Sequence, residues 1–100
     1  MKGQSVVGKR LKEARLRAGL SQKRLGILAG IDEFSASPRI NQYERARHTP
    51  EFSTAERLAK VLAIPTPFLY CRDDDLAGWI LAFSMIPLRD RQLVLRKSRS

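Results

Sequence analysis

Apolar residues recur at helical spacing from the start of the chain. Val7, Leu11, Ala14 and Ala18 are three or four residues apart, so they fall on one face of a helix. Lysines, arginines and one glutamate fill most of the remaining positions of the same stretch. The pattern predicts a first helix over about residues 6–18, with one face buried and a charged outer surface.

Glycine and serine mark the ends of the first two helices. Gly19 follows the first apolar stretch and suits the left-handed conformation at a helix C-terminus. Ser21 is a good N-cap because its hydroxyl accepts from backbone N–H groups two or three residues ahead. We therefore expect a second helix over about residues 22–29, with Leu25, Leu28 and Ala29 facing inward and Gly30 ending it.

Pro38 suggests where a third helix begins. A proline is tolerated in the first turn, since its missing N–H has no partner there, and it damages a helix interior. The predicted third helix therefore runs over about residues 37–45, with Ile40 and Glu44 on one side. Asp32–Ala36 is rich in turn and cap formers and is interpreted as a connection.

The second half of the chain predicts three further helices. Ser53 or Thr54 should cap a fourth helix that ends at Leu62. After a short turn at two prolines, a fifth helix is expected over about residues 76–85 and a short last one over 88–96, with residues 97–100 frayed. The fold class is therefore all-α, a compact bundle of about five short helices plus one or two C-terminal helices.

Asp73, Asp74 and Asp75 form a run with two interpretations. Three carboxylates could bind a metal ion, but adjacent side chains diverge and nothing nearby completes a coordination shell. Acidic residues at a helix N-terminus are stabilised by the helix dipole and can cap it. Because a helix is expected to start directly after the run, we favour the capping role.

The charge of the chain favours a polyanionic partner. One hundred residues make one domain, and 43% apolar residues suffice for a modest helical core. The formal net charge is +9, and eleven of the nineteen basic residues but only four of the ten acidic ones lie in residues 1–50. A basic first half resembles a binding face on a scaffold, although a generally solvating surface is the alternative.

Several classes of function are disfavoured. Cys71 is the only cysteine, so no internal disulfide or cysteine metal site is expected, and His48 is the only histidine. The glycines are scattered and form no phosphate cradle, so we expect no enzyme, no cofactor and no metal. Residues 1–5 lack the apolar core of a signal peptide, and residues 76–86 are too few to cross a bilayer. A soluble, cytoplasmic protein without membrane contact is expected.

Four blocks of sequence resemble the Cro/repressor-type (XRE) helix-turn-helix family. They are GLSQKRL at 19–25, AGI at 29–31, RINQYER at 39–45 and ERLAKVLAIP at 56–65, and the resemblance spans about residues 6–70. It implies a lambda-repressor-like DNA-binding domain over residues 1–72. Residues 73–100 would then be a C-terminal helical extension outside the shared domain.

The resemblance implies that the third helix enters the major groove of double-stranded DNA. Four polar side chains near its start would then contact base edges: Ser37, Arg39, Asn41 and Gln42. Arginine can bond guanine, and asparagine or glutamine can bond adenine, through two hydrogen bonds each. Five further side chains would contact phosphates: Arg10, Gln22, Lys23, Arg45 and Arg47. Arg15 and Glu44 would form an ion pair that braces the recognition helix.

The chain departs from the family pattern at three places. Gly26 stands where the family usually has a small residue such as alanine, and Ala46 stands where glycine is frequent. Asp32–Ser35 lengthens the segment before the recognition helix by about four residues and resembles an insertion. The insertion affects where the recognition helix begins.

The expected function is sequence-specific DNA binding by a repressor-type transcriptional regulator. Regulators of this kind usually bind near-palindromic operators as dimers, so a homodimer is expected. The sequence does not reveal whether a small-molecule effector binds. Residues 73–100 would supply the dimer contact or, alternatively, pack on the domain core. The rival function is an antitoxin or phage-type accessory module whose main partner is another protein.

Overall fold

The structure, a computed structural model, describes residues 6–100. Within them the α-helices are α1 Val6–Arg17, α2 Gln22–Leu28, α3 Glu33–Glu44, α4 Phe52–Leu62, α5 Asp74–Met85 and α6 Leu88–Ser98. A 3-10 helix, Thr66–Tyr70, lies between α4 and α5, and residues 6–100 contain no strand. The predicted all-α class is confirmed. The signal-peptide prediction concerns residues 1–5, which lie outside the described residues.

A single apolar core lies between α1, α2, α3, α4 and the 3-10 helix. Each of these elements contributes at least one large side chain that is almost fully buried: Leu11, Leu25, Ile40, Leu58, and both Phe68 and Leu69 from the 3-10 helix. Burial of each such side chain stabilises the fold by about 1.5–3 kcal/mol relative to exposure. The core therefore fixes α2 and α3 relative to the rest of the domain.

The predicted end and cap residues of the first two helices are confirmed. Gly19 and Gly30 have φ angles of 72° and 93°, in the region that disfavours residues with a Cβ. The Ser21 hydroxyl oxygen accepts a hydrogen bond of 2.9 Å from the backbone N–H of Arg24. These features end α1 and begin α2 where the sequence predicts. Leu25 and Ala29 are buried as predicted, but the prediction that Leu28 faces inward is wrong, because this side chain is exposed.

The predicted start of the third helix is wrong, because α3 begins at Glu33 and not near Ser37. The Asp32 carboxylate accepts a hydrogen bond of 3.0 Å from the backbone N–H of Phe34, which makes Asp32 the N-cap. Pro38 lies inside the helix, where it removes only one intrahelical hydrogen bond, near the N-terminal end. The apparent insertion is therefore an additional helical turn at the start of α3.

The additional turn packs against Gly26 of α2. A Cβ atom built on Gly26 would lie 2.7 Å from the Ala36 Cβ and 2.9 Å from the Ala36 Cα. Ala36 is fully buried, so neither helix can move aside without disturbing the core. The two helices approach so closely here that Gly26 leaves room for the first turns of α3.

Two other helix starts differ from the prediction by a few residues. The N-cap of α4 is Glu51, without a side-chain hydrogen bond, and not Ser53 or Thr54. The N-cap of α5 is Asp73, whose carboxylate accepts a hydrogen bond of 3.0 Å from the Leu76 N–H. This contact supports the capping role of the acidic run. In residues 6–100, no group of three or more His, Cys, Asp or Glu side chains could hold a metal ion.

The last two helices project from the domain. Only Ala77 of α5 is buried, and no residue of α6 is; α6 also extends to Ser98, into the segment expected to fray. Arg91 fixes the corner between them, because its Nε donates to the Ile86 carbonyl at 2.6 Å and its guanidinium lies 4.2 Å from the centre of the Phe83 ring. None of the described helices is both long and apolar enough to cross a membrane.

The variant Gly26→Ala tests the close contact between α2 and α3. The added Cβ would overlap Ala36, so we expect a loss of about 1–3 kcal/mol in the free energy of unfolding. Gly78→Ala is the matched control, since nothing lies within 4 Å of its Cβ position in α5 and alanine is the better helix former. Urea unfolding followed by circular dichroism measures both. Equal stabilisation by the two substitutions would contradict the contact.

Candidate nucleic-acid interface

The helices α2 and α3 form a helix-turn-helix unit, and Arg57 attaches this unit to α4. The Nε of Arg57 on α4 donates to the carbonyl of Ala29, the residue that ends α2, at 3.0 Å. A guanidinium at this end of a helix is favoured by the helix dipole. Sequence reasoning missed Arg57, because its partner is 28 residues away and no local pattern connects them.

An ion pair between Arg15 and Glu44 attaches α1 to the last turn of α3. The Nε and Nη2 atoms of Arg15 donate to the two carboxylate oxygens of Glu44 at 2.6 and 3.1 Å. The Nη1 atom also donates to the carbonyl of Leu20 at 3.0 Å. The Glu44 side chain is only 4% exposed, so the pair is shielded from water. These are the two residues for which the resemblance implies an ion pair.

Gln22, predicted to contact a phosphate, instead joins the start of α2 to α3. Its Nε2 donates to the Glu44 carboxylate at 3.0 Å and to the Asn41 side-chain oxygen at 3.2 Å. Both amide hydrogens are therefore used, and Gln22 has no amide donor left for a phosphate in this arrangement. Asn41 keeps its own NH2 group, which makes no hydrogen bond within residues 6–100.

One long face of α3 points away from the core. Ala36, Ile40 and Tyr43 are buried, and the residues on the opposite side of the helix are exposed or half-buried. We call this side the outer face of α3; it consists of Phe34, Pro38, Asn41, Gln42 and Arg45. The structure therefore places two of the four predicted base-contacting residues, Asn41 and Gln42, on the outer face.

The other two predicted base-contacting residues lie on the flanks of α3. Arg39 is exposed and lines an open cleft of about 580 Å³ together with Gln42, His48 and Thr54. Ser37 is half-buried. Arg39 is long enough to reach past the flank, whereas the short Ser37 hydroxyl stays close to the helix.

Three of the predicted phosphate-contacting residues have exposed side chains. Lys23 lies in the first turn of α2, Arg45 directly follows α3, and Arg47 lies in the next turn. None of the three forms an ion pair within residues 6–100. They therefore offer positive charge beside the outer face of α3.

Arg10 differs from these three, and its surroundings contradict the predicted phosphate contact. It is 3% exposed, and its Nε donates to the carbonyl of Cys71 at 2.7 Å. Its terminal nitrogens donate to Glu13 at 3.0 Å, Asp74 at 2.9 Å and the Arg72 carbonyl at 3.2 Å. Arg10 therefore joins α1 to the start of α5 and is not available to DNA.

The Arg10 and Asp74 charges stabilise one another. Burial acts to lower the pKa of Arg10, but hydrogen bonds to Glu13 and Asp74 outweigh it and raise that pKa. The hydrogen bond from Arg10 and the charge of Lys9 lower the pKa of Asp74. Both groups therefore remain charged at neutral pH, and the link between α1 and α5 persists.

Comparison with known proteins identifies the family of the chain. Residues 6–67 match a family model described as a helix-turn-helix domain. The chain is also similar to the crystal structure of transcriptional regulator BswR, with 52% sequence identity, a TM-score of 0.85, and coverage of 92% of this chain and 91% of that one. A search of curated proteins gave no match. The chain belongs to the helix-turn-helix family.

Glu44→Gln tests how much the position of α3 depends on the ion pair. The substitution keeps the shape of the side chain but leaves the guanidinium of Arg15 without its counter-charge. Removal of one partner of a buried pair typically costs about 3–5 kcal/mol of unfolding free energy. Glu56→Gln, on the exposed surface of α4, is the matched control and should change stability little. Similar urea midpoints for both variants would show that the pair is dispensable.

Proposed function

We propose that this protein binds double-stranded DNA sequence-specifically, with α3 in the major groove, as a repressor-type transcriptional regulator of the cytoplasm. The observation that carries the proposal is the outer face of α3. It presents Asn41 and Gln42 outward, while the opposite side of the same helix is fixed by the core and the Arg15–Glu44 pair. A rigid helix with outward amides is suited to reading base edges.

The proposed base contacts follow from hydrogen-bonding chemistry. Gln42 and Asn41 can each bond the N6 and N7 atoms of adenine, and Arg39 can reach O6 and N7 of guanine from the flank. The Asn41 oxygen accepts from Gln22, so that contact would orient its free NH2 group toward an acceptor on a base. Ser37 would have a minor role at the edge of this surface.

The proposed phosphate contacts are those of Lys23, Arg45 and Arg47. Their exposed side chains lie beside the start of α2 and the end of α3, so they would bracket the groove and fix the register of the helix. Gln22 acts here as a positioning residue for Asn41. Binding by such cations releases counterions from DNA and weakens steeply with salt.

A second copy of the chain is the proposed occupant of the apolar surface of α5 and α6. This surface has eight large, exposed apolar side chains: Leu76, Trp79, Phe83, Met85, Leu88, Leu93, Val94 and Leu95. The two helices also enclose an open apolar groove of about 410 Å³. One α3 reads only a few base pairs, so pairing through α5 and α6 would supply the second reading helix for a near-palindromic operator.

The double variant Arg39→Ala/Gln42→Ala tests base reading. Each substitution removes one side chain that can form two hydrogen bonds to a base. A duplex selected by the wild-type protein from a random pool should therefore bind the variant about 5- to 150-fold more weakly per substitution. Fluorescence anisotropy at several salt concentrations gives the affinities, and Lys23→Ala should lower the salt slope by about one.

Arg89→Ala on α6 is the control for removal of a positive charge, and it should keep the selectivity of the wild type. If no sequence is enriched at moderate salt, or if the double variant keeps full selectivity, the proposed function fails. Retained tight binding to another polypeptide would then favour the protein-binding alternative.

The double variant Leu88→Gln/Leu95→Gln tests the second copy. Both side chains are exposed and α6 buries none of its residues, so we expect the fold to survive and the dimer to dissociate. Sedimentation velocity measures the mass in solution, and circular dichroism reports the helices. Arg89→Gln/Arg96→Gln introduces the same residues on polar positions of α6 and should remain dimeric. A wild-type monomer, or two equally dimeric variants, would rule out this surface.

A further inference from the structure

The first turn of α3 carries an aromatic ring that the fold does not use. Phe34 is 86% exposed, the highest fraction among the large apolar side chains in residues 6–100. Its backbone N–H is engaged by Asp32, so the backbone is fixed while the ring points outward. A fully buried alanine, Ala36, packs against α2 from the same turn.

Phe34 is aligned with the residues of the outer face that we propose for base reading. Phe34, Pro38, Asn41 and Arg45 are separated by four, three and four residues, which is the spacing of one helix face. From Phe34 to Arg45 this face is about 16 Å long at the rise of an α-helix. It is apolar over its N-terminal half and polar over its C-terminal half.

The charges near Phe34 indicate which part of DNA this half can contact. Asp32 and Glu33 are exposed carboxylates at the N-terminal end of α3, whereas the exposed cations Arg45 and Arg47 lie at the other end. Phosphates are repelled from the acidic end and attracted to the basic end. The uncharged ring is therefore left to meet base edges, where the thymine C5 methyl is an apolar group that a phenylalanine can contact.

We propose that Phe34, supported by Pro38, reads the C5 methyl group of a thymine in the major groove. This specificity rests on the proposed DNA-binding function and adds a base position outside the reach of Asn41 and Gln42. The additional helical turn at Glu33–Ala36 is what places the ring there. Each half-site would then contain a required thymine on the side of the N-terminal end of α3.

Replacement of thymine by deoxyuridine, which lacks only the C5 methyl, tests this proposal. Single replacements are made along the duplex selected by the wild-type protein. At one or two positions in each half-site the wild type should lose about fourfold in affinity, the effect of one buried methyl group. Phe34→Ala should lose at least as much on the unmodified duplex and show no further loss with deoxyuridine at those positions. Phe34→Leu should retain part of the preference for thymine.

Phe52→Ala is the matched control, since Phe52 is also exposed but lies on α4. Its ratio of thymine to deoxyuridine affinities should equal that of the wild type. An unchanged ratio for Phe34→Ala, no sensitive thymine in the wild type, or a change in oligomeric state alone would overturn the assignment of Phe34. In those cases selective binding by the wild type would leave the proposed function intact, whereas absence of any enriched duplex would refute the proposed function itself.

Discussion

The buried ion pair between Arg15 and Glu44 is the contact on which the arrangement of α3 depends. It holds the C-terminal end of the helix against α1, while the Gly26–Ala36 contact holds the N-terminal end against α2. A Cβ on Gly8 would lie only 2.5 Å from the Tyr43 carbonyl, so α1 also touches the backbone of α3. Because α3 is fixed at both ends, its outer face is held in one orientation relative to the core.

The parts of the fold that sequence patterns predict correctly are those with local causes. The boundaries of α1 and α2 follow from apolar spacing, a glycine with positive φ and a serine cap. The predicted start of α3 is wrong because Pro38 favours a helix start, although Asp32 is an equally good cap four residues after α2. Which signal wins is decided by the burial of Ala36 against Gly26, a contact between helices that periodicity cannot show.

The predicted site residues divide in the same way, into those that a local pattern identifies and those whose role depends on contacts distant in the sequence. The sequence identifies Lys23, Arg45 and Arg47 as cations, and the fold leaves all three exposed. Arg10 has the same charge and lies on a helix of the same basic half, yet its partner is the carbonyl of Cys71, 61 residues away. Charge alone therefore cannot tell a phosphate contact from an internal hydrogen bond. The distinction requires the packing of α1 on the 3-10 helix.

Arginine has a second use in this protein that changes the meaning of its +9 charge. Four arginines, two of them on α1, donate to carbonyls at or just beyond the C-terminal ends of four different helices: Arg10 to Cys71, Arg15 to Leu20, Arg57 to Ala29 and Arg91 to Ile86. Such carbonyls lack intrahelical partners, and the helix dipole favours a cation beside them. A guanidinium can donate to such a carbonyl and to a second acceptor at the same time, because its donors form a rigid planar fork. The lysine ammonium is a compact point charge and lacks this fixed geometry. Part of the basic composition thus closes helix ends, and the two buried arginines, Arg10 and Arg15, are paired with carboxylates, so the charge offered to DNA is smaller than the composition suggests.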